Sequence, residues 1–189
     1  MQAGLAAHGL AVSDLARVII THTHIDHFGN AARIADPSNA RFEVLDHGYA
    51  WLTDFGTLWR QRMRYYRDVF FPGAGIPQAL NDQLMVFYQQ VADTYRAVPV
   101  DQVSTFSAGD TVLLGRADWQ VLHTPGHASM LSCFYQPETR LLLASDMLLQ
   151  RTPTPVMEAP PAGARREPVL PLFIESLSQV EALDIETVF

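Results

Sequence analysis

Residues 21–27 read Thr21-His22-Thr23-His24-Ile25-Asp26-His27 and gather three imidazoles and one carboxylate in a single short stretch. This stretch directly follows Arg17-Val18-Ile19-Ile20, an apolar and β-branched run that predicts a short buried strand. Imidazole and carboxylate groups are the ligands that suit zinc and neighbouring divalent metals. The sequence therefore predicts a metal-binding loop at the C-terminal end of a strand.

Two further pieces of sequence carry the same kinds of side chain. Thr124-Pro125-Gly126-His127 follows an apolar run, and Gly126 permits a tight backbone turn in front of His127. Ser145-Asp146 follows Leu141-Leu142-Leu143-Ala144, so Asp146 also comes at a predicted strand end, where its carboxylate could bridge two ions. Loops at the ends of several strands often carry metal ligands, and two-metal sites hold ions about 3.5–4 Å apart. The three pieces together predict most of a two-metal hydrolase centre.

These motifs, His22-x-His24-x-Asp26-His27, Thr124-Pro125-Gly126-His127 and Ser145-Asp146, resemble those of the metallo-β-lactamase superfamily of metal-dependent hydrolases. The resemblance implies an α/β fold of the αββα sandwich type and two Zn²⁺ ions, with Fe²⁺ or Mn²⁺ as alternatives. A bridging water whose pKa the ions lower would supply hydroxide to the substrate, with Asp26 as the catalytic residue that orients it and accepts a proton. The resemblance also implies two ligand sets, His22, His24 and His127 for the first metal, and Asp26, His27 and a bridging Asp146 for the second.

The resemblance covers most of the chain, which we expect to be a single domain over residues 1–189 that is incomplete at both ends. Members of the superfamily usually begin with further residues that form the first strands of the sheet. They also continue past the last strand to a final histidine of the second metal site, whereas this sequence ends at Val188-Phe189. We therefore expect a fragment of a longer protein, with unpaired sheet edges and a weakened second site.

The rest of the sequence predicts helices and strands around a helical insertion. Residues from about 48 to 98 have helical periodicity and dense aromatic side chains, and Phe71–Pro77 breaks them into two helices. Pro137-Glu138-Thr139-Arg140 predicts a hairpin turn, and Thr152–Pro168 predicts an exposed connection. Elsewhere we expect helices at about 3–9, 30–35 and 172–183, and strands at about 18–20, 42–45, 111–114, 119–122, 131–135, 141–144 and 187–189.

Composition limits the classes of partner. Hydrophobic residues make up 48% of the chain and charged residues 17%, which favours a globular fold over disorder. A net charge of −7 disfavours a nucleic-acid partner, and all thirteen basic residues are arginine, which excludes Schiff-base chemistry by lysine. The single cysteine, Cys133, excludes an internal disulfide. With no apolar run long enough for a membrane span and no signal peptide, we expect a cytoplasmic protein that acts on a small molecule.

The helical insertion is the main indication of the substrate. It could fold over the metal site as a lid, or its aromatic side chains could form the core of a helical hairpin. Four arginines, Arg60, Arg62, Arg64 and Arg67, are interleaved with aromatic residues there. They could hold a carboxylate or phosphate group of the substrate, or they could form a solvated helix face. The candidates for substrate binding are Arg60, Arg64, Tyr65 and Arg67.

Several activities of the superfamily remain open. Glyoxalase-II-like thioesterases are the first choice, lactonases come next, and the acidic charge disfavours a nuclease. His24 disfavours a diiron oxidoreductase, which usually has Glu at that position. Two alternatives stay open: a mononuclear iron site like that of persulfide dioxygenases, and a non-catalytic module that keeps the fold for binding. His123 is interpreted as an orienting or packing residue rather than a ligand.

Overall fold

A computed structural model describes residues 1–156, 158 and 168–189, and eight strands in these residues form two sheets. The three-stranded sheet is parallel and has the order β1 (Arg17–Ile20), β2 (Arg41–Leu45) and β3 (Val103–Phe106). The five-stranded sheet is antiparallel except for its last pair, which is parallel. Its strands follow chain order: β4 (Thr111–Leu114), β5 (Ala117–His123), β6 (Ser132–Gln136), β7 (Leu141–Leu143) and β8 (Thr187–Val188).

Eight α-helices lie in the described residues. A π-helical turn, Tyr66–Phe70, joins the fifth of them to the sixth, and 3₁₀ turns occupy Val12–Asp14, Asp46–Gly48, Val100–Gln102 and Ser145–Met147. The helices are α1 (Gln2–Ala7), α2 (Ile25–Phe28), α3 (Ala31–Ala35), α4 (Tyr49–Thr53), α5 (Phe55–Tyr65), α6 (Phe71–Gly73), α7 (Gln78–Thr94) and α8 (Val169–Glu181).

The two sheets stack between helical layers, because successive side chains of a strand point to opposite faces of its sheet. Ile20 and Val44 pack in a core with α3, α4 and α5 on one face of the three-stranded sheet. Ile19 and Leu45, the neighbours of these residues along β1 and β2, belong instead to the core of the five-stranded sheet. Val180 of α8 joins that second core. The order helix, sheet, sheet, helix is the αββα arrangement that the motifs predict.

Most elements agree with the sequence prediction to within two or three residues, and β3 is the strand that was missed. Its sequence, Val103-Ser104-Thr105-Phe106, is short and half polar, so it lacks the apolar run that identified the other strands. It forms because Val103 and Phe106 fill the two cores on opposite faces of the sheet. Tertiary contacts therefore decide this strand, as expected where local propensity is weak.

The break in the helical segment lies within the predicted Phe71–Pro77 stretch, in its second half. Helix continues from α5 through the π-helical turn into α6, and the chain turns at Gly75, which has a φ of +74°. Pro72, near the start of α6, has no N–H to donate to the preceding turn. The buried Asn81 side chain donates to the carbonyl of Arg67 at 2.9 Å, so a carbonyl of that turn is satisfied from α7.

The connection predicted at Thr152–Pro168 lies partly outside the described residues, which omit 157 and 159–167. Within its described part, Glu158 contradicts the predicted exposure, because its side chain is only 12% exposed. None of the helices in the described ranges combines the length and apolar character that a bilayer span requires.

Candidate metal centre

Three strand ends come together at one edge of the sandwich. His22 follows β1, His127 follows β5, and Asp146 follows β7. The backbone N–H of Ser132 donates to the carbonyl of Thr21 at 2.9 Å, which joins the first loop to the start of β6 in the other sheet. The strand-end loops that the sequence predicted as ligand carriers are thus neighbours in space.

Four imidazole rings cluster at this edge. The ring centroid of His22 lies 4.0 Å from that of His27, 4.7 Å from that of His24 and 5.1 Å from that of His127. The Nδ1 atom of His24 and the Nε2 atom of His127 are 2.9 Å apart. Four histidine rings in contact, drawn from segments a hundred residues apart, indicate a site for a metal rather than a set of surface residues.

The carboxylate of Asp146 lies among these rings. Its Oδ2 atom is 3.2 Å from Nε2 of His27, 3.3 Å from Nε2 of His127 and 3.9 Å from Nε2 of His22. Ser145, just before it, has a φ of +49°, which is uncommon for a residue with a side chain. Such backbone strain is often found where a chain must aim a functional group, and here it precedes the acid of the cluster.

The donor atoms fit a metal ion, as the surroundings of His22 show. His22 is fully buried, and among the described residues its Nε2 atom has no hydrogen-bond partner. Its Nδ1 atom lies 3.2 Å from the Oγ1 of Thr21, a distance at which Nδ1–H donates and Nε2 keeps its lone pair. A buried polar atom without a partner is costly, and a cation at this position would remove that cost.

Two groups of three ligand atoms meet the distance requirement for a metal ion. In each group the atoms lie within 4.8 Å of one another, and His22 belongs to both. The first group is His22, His24 and His127, and the second is His22, His27 and Asp146. Five of the six predicted ligands are thus brought together.

Asp26, the sixth predicted ligand, lies at the rim of the cluster. Its Oδ2 atom is 3.8 Å from Nε2 of His27, and its side chain is 76% exposed. It belongs to neither three-ligand group. Its negative charge raises the pKa of His24, although burial and positive neighbours outweigh this effect. Asp26 is therefore close to the site and in contact with solvent.

The loop that presents His127 is held from three sides. The Nδ1–H of His127 donates to the carbonyl of Pro155 at 2.9 Å, which leaves Nε2 facing the cluster. The hydroxyl of the buried Ser176 donates to the carbonyl of Pro125 at 2.8 Å. Gly126 has a φ of +139° and lies against Phe173 of α8, where a Cβ atom would come within 2.5 Å. These contacts within the protein help to set the orientation of the imidazole.

His123 and the remaining histidines lie outside the ligand groups. The Nε2 atom of His123 is 2.7 Å from the carbonyl of Ser129, and its ring packs edge-on against His47 with centroids 5.2 Å apart. This placement agrees with the interpretation of His123 as an orienting or packing residue. It also makes His123 a suitable control in experiments on the ligands.

Burial keeps two of the clustered histidines neutral. Desolvation, followed by the positive charges of His27, His24 and His127, lowers the pKa of His22 from 6.5 to about 2. Desolvation, followed by the charges of His127 and Arg62, lowers the pKa of His24 from 6.5 to about 4. Both rings are thus available at neutral pH as unprotonated ligands, so a metal ion would not compete with protons for them.

We expect the metal-free protein to lose stability as the pH falls from 6.5 towards 5. In this range unfolded histidines take up protons, whereas His22 and His24 in the folded state do not, so acid favours unfolding. The free energy of unfolding should change with pH by up to about 1.4 kcal/mol per pH unit for each of the two histidines. Urea unfolding at several pH values measures it, and a His24→Asn variant should show a shallower slope. A free energy of unfolding that is constant over this range would contradict the expectation.

The predicted substrate-binding arginines do not lie on the metal-facing side of α5. An α-helix turns by about 100° per residue, so Arg60 and Arg64 share a face about 160° from Arg62. Arg60, Arg64 and Arg67 line a cavity of about 320 Å³ between α5 and α7, and none of the clustered ligands lines it. Tyr65 packs against Tyr66, with ring centroids 6.0 Å apart, and is not a lining residue of that cavity. The arginine that faces the metal centre is Arg62, whose charge acts on His24.

The aromatic residues of the helical segment serve mainly as a core, and part of the segment also reaches the site. Phe55 is buried beneath the three-stranded sheet, and the indole of Trp59 donates to the carbonyl of Tyr88 at 3.0 Å, joining α5 to α7. Trp51 packs against both cores and lies under the guanidinium of Arg62. Sequence reasoning missed Trp51 and Glu158 as neighbours of the site, because no local pattern signals contacts between such distant residues.

Comparisons with known proteins agree with this geometry. A model of the metallo-beta-lactamase superfamily matches residues 1–189. The chain is 26% identical, over 192 residues, to the probable metallo-hydrolase YqjP of Bacillus subtilis (strain 168), and the match covers 100% of this chain and 57% of that protein. The chain therefore spans a little more than half the length of this relative.

Solved structures show the same fold. The metallo-beta-lactamase family protein TTHA1429 from Thermus thermophilus has a TM-score of 0.78 and 23% identity, covering 100% of this chain and 58% of its own. BJP-1, a subclass B3 metallo-beta-lactamase of Bradyrhizobium japonicum, has a TM-score of 0.59 and 19% identity, covering 100% of this chain and 60% of its own. At these identities the likeness concerns the fold alone.

Proposed function

Because the chain belongs to the metallo-beta-lactamase superfamily, we propose that it is a metal-dependent hydrolase that uses two zinc ions to cleave a thioester, ester or lactone. The observation that carries the proposal is the convergence of five ligand residues, His22 among them, and the buried Nε2 of His22 has no partner among the described residues. A glyoxalase-II-like thioesterase remains the first choice within this range, since the ligand motifs resemble those enzymes.

The ligands divide between two ions. His22, His24 and His127 would hold the first, and His27, Asp146 and Asp26 the second. The position of Asp146 Oδ2, which is 3.2 Å from His27 and 3.3 Å from His127, supports a bridging role between the two. Cations bound there would activate a water molecule and polarise the substrate carbonyl.

The residues of the chain would then orient the reactants and move protons. Asp26 would accept a proton from the attacking water, and its exposed carboxylate at the rim of the cluster supports this role. In the hydrolysis of a thioester, the water oxygen bonds to the carbonyl carbon and the carbon–sulfur bond breaks. One proton passes through Asp26 to the departing sulfur, and the products are a carboxylic acid and a thiol.

The proposal is tested by removing and restoring metal. The protein is stripped with a chelator, then supplied with zinc, manganese or iron, and assayed on a panel of thioesters, esters and lactones together with its metal content. We expect turnover to disappear on stripping and to return with zinc, because the bound ions are what would activate the attacking water.

Three results would contradict the proposal. Unchanged turnover in the stripped protein would exclude a metal mechanism. Oxygen consumption with a persulfide and one iron per chain would indicate a dioxygenase instead. No turnover with any metal, on the whole panel, would favour the non-catalytic binding module.

A further inference from the structure

Arg62 lies in a tightly held position beside the metal centre. Its guanidinium carbon is 4.2 Å from the centroid of the Trp51 ring, which is the geometry of a cation–π contact. Its Nη2 atom donates to Oε1 of Glu158 at 2.9 Å. The two side chains of this ion pair are only 14% and 12% exposed. The plane of the guanidinium is thus fixed on one side by an aromatic ring and on one edge by a carboxylate.

The Arg62–Glu158 pair is connected to the metal ligands. The second carboxylate oxygen of Glu158 accepts a hydrogen bond from the backbone N–H of Ser129, two residues after His127. This contact joins the Arg62–Glu158 pair to the loop that presents His127, a ligand of the proposed first ion.

The permanent positive charge of Arg62 beside the candidate ligands would oppose the binding of metal ions. A role in packing alone would not require a charge at this position. Guanidinium carries five N–H donors in a planar fork that matches a carboxylate. Glu158 takes up one nitrogen, and the described residues supply no further acceptor for Arg62. A carboxylate of a bound substrate would be a suitable acceptor for the remaining donors, and Glu158 partly neutralises the charge of the guanidinium.

We propose that Arg62 determines substrate specificity by binding a free carboxylate on the acyl part of the substrate, while Trp51 and Glu158 hold its guanidinium in position. The substrate class is an acyl thioester or ester with a second, ionised carboxyl group. This inference rests on the proposed hydrolase function. It replaces the candidates Arg60, Arg64 and Arg67 that the sequence suggested, which line a different cavity.

Two substrates that differ in one charge test the inference. The zinc-loaded protein is assayed with the succinyl thioester of N-acetylcysteamine and with its methyl ester, which lacks the free carboxylate. In Arg62→Gln we expect KM for the succinyl compound to rise about tenfold to a hundredfold, with kcat little changed. KM for the methyl ester should stay the same. Arg64→Gln, a matched change on the opposite face of α5, should alter neither.

A second variant covers the possibility that Arg62→Gln does not fold, since it leaves Glu158 as an uncompensated buried charge. In Arg62→Gln combined with Glu158→Gln, both charges are removed and a neutral hydrogen bond is retained. We expect the same selective loss for the succinyl compound. Equal KM changes for both substrates in either folded variant, or no change for the succinyl compound, would overturn the inference.

A binding measurement separates this inference from the proposed function. Calorimetric titration with succinate, and with its dimethyl ester as control, measures binding at the proposed carboxylate site and does not depend on turnover. If the wild type cleaves neither thioester but binds succinate in an Arg62-dependent way, the hydrolase proposal fails and the carboxylate site stands. If both thioesters are cleaved and succinate binding is unchanged in Arg62→Gln, the carboxylate site is wrong and the hydrolase proposal stands.

Discussion

Replacing His22 with alanine is expected to abolish metal-dependent hydrolysis, with a loss of at least about a thousandfold in turnover. His22 is a ligand of the proposed first ion, and its donor atom lies within 4.8 Å of the other donor atoms in both three-ligand groups. Its Nε2 atom has no partner in the described part of the chain, and its Nδ1 atom is positioned by Thr21. No nearby side chain among the described residues can take its place, because the other imidazoles already belong to one of the two groups.

A series of single substitutions tests the assignment of the ligands to the two ions. In the proposed division His22→Ala and His24→Ala each remove a ligand of the first ion, whereas His27→Ala removes a ligand of the second. The measurement is zinc content by elemental analysis together with turnover. We expect His22→Ala and His24→Ala to lose zinc from the first site and His27→Ala to lose it from the second, so all three should contain less zinc than the wild type. His123→Ala is the control, because its ring packs against His47 outside both groups.

The series can contradict the assignment directly. Full zinc content and normal turnover in a folded His22→Ala protein would show that the buried Nε2 is not a ligand. A loss of zinc in His123→Ala equal to that in His22→Ala would show that the effect comes from general damage to the loop. Circular dichroism checks that each variant is folded.

The second large effect is expected for Gly126→Ala. The φ of +139° at this residue is one that side-chain-bearing residues rarely adopt. An added Cβ would also lie 2.5 Å from the Cβ and 2.7 Å from the Cα of Phe173, so α8 or the loop would have to move. The free energy of unfolding should fall by about 3 kcal/mol or more, because backbone strain and overlap act together. Zinc affinity should fall as well, since Gly126 immediately precedes His127.

Gly115→Ala is the matched control for Gly126→Ala. Gly115 has a φ of +64° in the turn between β4 and β5, and nothing lies within 4 Å of the position that a Cβ would occupy. It should therefore lose only about 1–2 kcal/mol, the cost of the left-handed conformation. Urea unfolding and zinc titration of both variants measure the difference. Equal losses of stability and unchanged zinc affinity in Gly126→Ala would contradict the role assigned to the close contact with Phe173.

The candidate metal ligands were predictable because their signals are local. His22, His24 and His27 lie in one short loop, and His127 and Asp146 each follow an apolar run that forms a strand. Parallel and antiparallel strands that end at the same edge of a sandwich bring such loops together, so motif order was enough to group these five residues. The position of Asp26 was less predictable, because whether a loop residue turns inward or to the rim depends on the backbone around it.

The sequence was enough to predict that this segment is helical. It was not enough to predict which face of α5 points toward the candidate metal site. Arg60, Arg62 and Arg64 are equivalent in a list of basic residues, yet only Arg62 faces the cluster, because each step of two residues moves a side chain to the other side of α5. Which side faces the site depends on how α5 packs against the three-stranded sheet and α7. No sequence pattern near Arg62 specifies that orientation.

The sequence by itself indicated the family, the αββα fold and most candidate ligands, because its three motifs are short local runs that resemble those of the superfamily. The tertiary structure decided the formation of β3, the face of α5 that meets the metal centre, and the supports of His127 from Pro155, Ser176 and Phe173. The physical reason is that these features depend on contacts between residues far apart in the chain. Such contacts form only when the cores are closed, and their free energies are not encoded in any single segment.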